Sequence, residues 1–316
     1  MLKFEVGNLI HSAAKLQKVY LCRKLYLIAM FETLKQSAGM RVFLFLVILL
    51  VSSLIGLALA SVFMFAGDMG MKIGQGVSSI MMFIVPPIVY YFVTRKERPM
   101  QALGLRKPAR PWWLILVGAA LMYVSLPVTN QLTVWNEAVH FGPLETYLKA
   151  LEDSAAEVTE RMLNVETFGG LLLNLVVIAL IPAVGEELTF RGVLQQSLTR
   201  KMNPHVAILL SSAIFSFIHF QFYGFLPRMF LGVLLGYMFY ASGSLWTSIV
   251  MHFLNNGSAV VVYYLNNKDI IDVDVDHFGQ TQSVWLIVAS VAATVGLIAW
   301  SWRKAKPAKA TQNQTL

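Results

Sequence analysis

Two adjacent carboxylates, Glu186 and Glu187, stand at the end of an apolar run, Leu171–Val184, that otherwise has the composition of a membrane helix. Arg191 follows in the same stretch, GEELTFRGVL, Gly185–Leu194. A charge at bilayer depth costs roughly 3 kcal/mol on insertion scales, so such residues face a bundle interior, where they pair or do chemistry. On a helix Glu187 and Arg191 are four apart and share a face, which allows an ion pair. Glu186 is turned about 100° from Glu187 and lacks that partner. The split predicts two jobs, with Glu187 and Arg191 a buried clamp and Glu186 free to act on a water.

Polar residues interrupt two further apolar stretches. In SSAIFSFIHF, His219 follows Phe215 by four, and in SIVMHFLNNG, Asn256 follows His252 by four. Each pair shares a helix face. Asn203–Pro204 reads as a helix start, with asparagine as N-cap and proline at the first helical position. Glu186 lies 17 residues before Asn203 and His219 16 after it. Two antiparallel helices leaving that hairpin carry both side chains to similar depth, ~25 Å along the helix at 1.5 Å per residue. His252 is only nine residues beyond Gly243, so its helix must start below the surface to meet them. A lone membrane histidine commonly does no more than hydrogen-bond a neighbouring helix. Two glutamates, two histidines and an asparagine on three apolar helices exceed what bracing needs.

The elements that must hold these residues are membrane helices. Of 316 residues 57% are hydrophobic and 13% charged, with mean hydropathy +0.62. Soluble domains carry more charge and fewer apolar residues. Eight apolar spans are expected near Val42–Ala66, Val77–Val93, Trp112–Val128, Leu171 into the glutamate stretch, Val206–Phe222, Leu226–Tyr240, Leu245–Leu265 and Val284–Trp302. The predicted fold is all-α, a polytopic membrane bundle of about eight transmembrane helices. Pro86–Pro87 should kink the second span. The linkers Asn130–Glu166 and Asn266–Gln282 are polar and acidic.

The chain divides into five parts on this reading. Residues 1–39 are a basic amphipathic segment on the cytoplasmic leaflet, without the apolar core and cleavage site of a secretory signal. Residues 40–165 hold the first spans and an acidic outer loop, 166–265 the core bearing the polar residues, 266–302 a second acidic loop and the last span, and 303–316 a basic tail. Net charge +8 is compatible with nucleic-acid binding, but the basic residues cluster at the ends of apolar runs, so no nucleic acid is expected. Twenty of the 25 basic residues fall on one set of connections and 12 of the 17 acids on the other. That imbalance, with an even number of spans, predicts both termini in the cytoplasm. The single cysteine, Cys22, excludes an internal disulfide.

GEELTFRGVL resembles the EExxxR motif, IFSFIH the FxxxH motif and HFLNN the HxxxN motif of the CPBP, or Abi, intramembrane proteases, which include the CAAX prenyl endopeptidases. The likeness runs from about Gly169 to Leu265 and is to bacterial members, which places the chain in a bacterial inner membrane. It implies a peptide hydrolase acting on membrane-associated proteins or peptides within the lipid bilayer. Glu186 and His219 would hold and deprotonate a water, His252 and Asn256 would donate to the oxyanion, and Glu187, Arg191 and Phe215 would support them. The implied chemistry uses no cofactor. Zinc on Glu186, His219 and His252 is the alternative, although the spacing is not HExxH. Two readings from other classes remain. A non-proteolytic scaffold or bacteriocin self-immunity partner would be marked by a lost motif residue, and none is lost. A proton-coupled transporter would show inverted repeats with broken helices, and no clear pair is present.

Overall fold

The computed structural model describes residues 38–63, 65–94, 99–107, 112–273 and 279–304. The expected amphipathic segment and basic tail fall outside the described residues, except for their inner edges. Two units are separable, Met1–Leu49 and Leu50–Leu316. The described part of the first is the start of helix α1, with Phe43 and Leu46 exposed. Everything below concerns the second.

All regular structure among the described residues is helical. In chain order the long helices are α1 (Ala38–Ser61), α2 (Gly67–Thr94), α3 (Trp113–Val124), α4 (Leu126–Glu137), α5 (Glu145–Leu163), α6 (Phe168–Thr199), α7 (Pro204–Phe217), α8 (Phe225–Ser242), α9 (Leu245–Asn267) and α10 (Val284–Lys304). Six described helices are long and apolar enough to cross a bilayer. The pair α3 and α4, bent by 46°, is a broken span or a re-entrant loop, and makes a seventh if counted as one span. All eight expected spans fall on helices, but α7 is only 14 residues, about 21 Å at 1.5 Å per residue. Leu50, Leu54 and Leu57 of α1 and Trp285, Leu286 and Val295 of α10 are all more than half exposed. Apolar side chains in such bands belong against lipid, and the chain is a multi-pass membrane protein.

The polar linker expected over Asn130–Glu166 is largely helix. α4 runs to Glu137 and α5 fills most of the rest. The carbonyls that end α5 have no partners within the helix. Asn174 Nδ2 of α6 donates to Met162 O at 2.8 Å, and Asn267 Nδ2 of α9 donates to Leu163 O at 3.1 Å. Arg161 meets Asp68 of α2 at 2.7 Å. An acidic composition was read as loop because the groups that cap this helix lie on other helices.

Among the described residues three π-helical turns interrupt the helices, at Ile80–Ile84 in α2 and at Leu175–Leu180 and Leu188–Gln195 in α6. Each of the first two precedes a proline, and prolines strip donors from the carbonyls behind them. Pro87 brings no N–H to Phe83 O, and Thr189 Oγ1 of α6 donates there at 2.9 Å. Pro182 brings none to Ile178 O, and Asn256 Nδ2 of α9 donates there at 3.4 Å. Inside a bilayer a freed carbonyl must find such a donor. Gly185 permits the close approach of α6 and α2, since a β-carbon there would lie 2.8 Å from Phe83 Cβ. Thr189→Val keeps the shape and removes the hydroxyl. It should lower stability in detergent unfolding by about 1–2 kcal/mol; an unchanged midpoint would mean that Phe83 O finds another donor.

Candidate active site

The helix start expected at Asn203 is present. Asn203 Oδ1 accepts from His205 N at 2.9 Å with Pro204 beginning α7. α7 and α8 pack closely at Gly232, where a β-carbon would come 2.9 Å from Ser212 Cβ. These contacts hold α6, α7 and α8 side by side.

Glu187 is fully buried and Arg191 is 1% exposed. Arg191 Nη1 donates to Glu187 Oε1 at 2.7 Å, and Nη2 donates to Gly232 O of α8 at 2.9 Å. The same Oε1 accepts from His252 Nδ1 of α9 at 3.0 Å. Glu187 therefore binds its own helix and α9 at one oxygen. A carboxylate only accepts, so His252 carries its hydrogen on Nδ1 and turns Nε2 toward Glu186, whose Oε2 is 3.7 Å away. No charged partner of Glu186 other than His252 stands within 4 Å among the described residues.

Phe215 is the packing centre. Its ring has Arg191 Cζ 4.9 Å from its centroid, with the His219 ring at 5.1 Å and the His252 ring at 6.0 Å, both edge-on. The helix expected to continue through Phe222 ends instead at Phe217, and His219 lies in the turn beyond it. There His219 N donates to Ser216 O, which leaves Phe215 O without its usual helical partner. The ring fills the vacancy, with Nδ1 2.8 Å from Phe215 O. A carbonyl cannot donate, so Nδ1 carries the hydrogen and a neutral His219 presents Nε2 as an acceptor.

His252 reaches this level because the α8–α9 hairpin is itself buried. Gly243 takes φ 68° to end α8, and Ser244 Oγ accepts from Trp246 N to start α9. Ser242, Ser244 and Leu245 are fully buried. Leu245 N donates to Gly104 O at 2.9 Å and Ser244 Oγ to Arg106 O at 2.6 Å, so the segment around Gly104 covers the turn.

Glu186, Phe215, His219, His252 and Asn256 line one cavity of about 330 Å³. Ser125 and Leu126 at the α3–α4 bend form part of its wall, as do Arg228 and Asn255. Glu187 and Arg191 stand behind it. Two expected roles meet a different geometry. Both nitrogens of His252 face glutamates, and one hydrogen of the Asn256 amide is directed to Ile178 O. The second amide hydrogen of Asn256 makes no hydrogen bond among the described residues. Among the described residues no three histidine, cysteine, aspartate or glutamate side chains are grouped as a metal site.

Sequence reasoning missed Arg228 and Asn255 as cavity residues. Arg228 had been counted only among the basic residues that orient the chain, although it lies in an apolar span as Arg191 does. Glu152 of α5 was likewise assigned to a loop. Its Oε2 accepts from Tyr223 N at 3.3 Å. Burial holds its carboxyl above the usual range, and that hydrogen bond and the nearby Arg228 offset the rise only in part.

Fold and site together define an all-α membrane protein with a carboxylate–histidine cavity walled by its own helices. Residues 168–258 match the family model for type II CAAX prenyl endopeptidase Rce1-like proteins. The match covers under a third of the chain and includes every residue from Glu186 to Asn256 that carries the CPBP resemblance. No curated protein and no solved structure matches the chain.

Proposed function

We propose that this protein is an intramembrane endopeptidase that hydrolyses peptide bonds of membrane-associated substrates with a water activated by Glu186. The observation that carries the reading is the pairing of the two glutamates. Glu187 is tied to Arg191 and His252, whereas Glu186 opens on a cavity shared with His219 and His252. Water held between Glu186 and His219 Nε2 loses a proton to Glu186 as its oxygen attacks the peptide carbonyl. The same proton passes to the leaving amine as the carbon–nitrogen bond breaks. His252, held at Nδ1 by Glu187, packs its Nε2 edge beside Glu186, while the free amide hydrogen of Asn256 meets the developing oxyanion.

The test is peptide cleavage by the purified protein in lipid vesicles, with and without a strong chelator. Turnover that the chelator leaves unchanged supports the glutamate mechanism. Chelator-sensitive turnover restored by zinc would replace it with metal catalysis at Glu186, His219 and His252. Absence of cleavage across a membrane-peptide library would favour the non-proteolytic scaffold.

The charge asymmetry supports an orientation with both termini in the cytoplasm, and the resemblance to bacterial members supports a bacterial inner membrane. A reporter active only outside the membrane, fused after Leu316, should stay silent. Strong reporter activity would invert the orientation.

A further inference from the structure

Two arginines sit among the apolar helices that build the site, and their surroundings differ. Arg191 touches a carboxylate, whereas Arg228, on the first turn of α8, lines the cavity itself. Arg228 Nη1 donates to Gln221 O at 3.1 Å and Nη2 to Gln221 Oε1 at 2.9 Å, and both acceptors are uncharged. Among the described residues no carboxylate oxygen lies within 4 Å of its guanidinium. Glu152 and Glu186 act on it only across a gap. Of the five N–H donors on a guanidinium, two are used and three remain.

The mount is rigid. Asn136, buried at the end of α4, donates from Nδ2 to Phe222 O at 2.8 Å and accepts from Leu226 N through Oδ1. It thus holds both sides of the turn from which Arg228 projects. Gln221 fixes the guanidinium from the preceding loop. A half-buried cation without a contacting anion, held against a cavity that also contains the reactive carboxylate, is arranged to receive an anion from outside the protein.

We propose that Arg228 is a specificity-determining residue that binds a carboxylate of the peptide in this cavity. The inference rests on the reading of the cavity as a peptide site. The carboxylate is that of a free chain terminus or of an acidic side chain, and the guanidinium fork accepts either in bidentate fashion. Glu186 and Arg228 then have separate tasks, one acting on water at the scissile bond and the other setting which peptide lies across it.

The test is binding of a fluorescent alanine–leucine decapeptide to the full chain in lipid nanodiscs, with Glu186→Gln introduced to prevent turnover. Three forms are compared: free carboxyl terminus, amidated terminus, and amidated terminus with one internal glutamate. At least one carboxylate form should bind about 10–100-fold more tightly than the uncharged amide, the range for hydrogen bonds to a charged group. Which one does so identifies the source of the carboxylate. Arg228→Gln should abolish the preference, and Arg228→Lys should keep part of it. Equal binding of all three forms, no binding of any, or a preference that survives Arg228→Gln overturns the proposal. If Arg228→Gln does not fold, the three-peptide comparison and Arg228→Lys decide it. Carboxylate-selective binding without cleavage by the Glu186 protein would leave this inference standing and remove the protease reading.

Discussion

Glu186→Gln is expected to fold normally and to lose peptide cleavage by about 10²–10⁴-fold, the usual contribution of a positioned general base. The amide keeps the volume and hydrogen-bonding reach of the carboxylate but cannot take a proton from water. Glu186 makes no hydrogen bond or ion pair with Arg191, so the clamp behind it should keep its geometry. The measurement is turnover of one peptide by the two purified proteins, with melting curves to show equal folding. A Glu186→Gln protein that cleaves within a few-fold of the parent would remove Glu186 from the mechanism.

Glu187→Gln should behave in the opposite way. Its Oε1 is the common acceptor for Arg191 and His252, and both partners are almost wholly buried. Removing one member of a fully buried charge pair leaves the other uncompensated, at a cost of about 3–5 kcal/mol. The loss should appear as a large drop in unfolding midpoint in detergent. Melting no earlier than Glu186→Gln would show that the two glutamates had been given each other's roles.

The contrast between these two variants was visible in the chain itself. Helical spacing places Glu187 over Arg191 and turns Glu186 aside, and local geometry decides that without tertiary information. The apolar helices were equally legible, because burial in lipid demands a long run of one residue class, although only six or seven of the eight expected spans are long enough to cross. The ends and widenings of helices were not. α7 stops at Phe217 and the His219 ring takes the Phe215 carbonyl left free there, and nothing in SSAIFSFIHF distinguishes that from one more helical turn. The π-turns depend on donors such as Thr189, which meets a carbonyl 106 residues away. Arg228 obeyed the rule that singled out Arg191, a charge within an apolar span. It lacks an acidic neighbour four residues away, and so it was read for topology alone.

The contact between Glu187 and Arg191 spans four residues, whereas that between Glu187 and His252 spans 65. During synthesis, α6 is complete while the segment bearing His252 has still to be made. Its internal ion pair is therefore available to the emerging helix at once, and Glu186 has no such help. The buried turn at Gly243–Leu245 delays matters further, since α9 is seated only after its first residues close beneath the Gly104 segment. A ribosome-bound chain that ends before Met251 already carries both glutamates but has no far wall for the cavity. The complete cavity is thus a product of late assembly, closed only once α9 is seated.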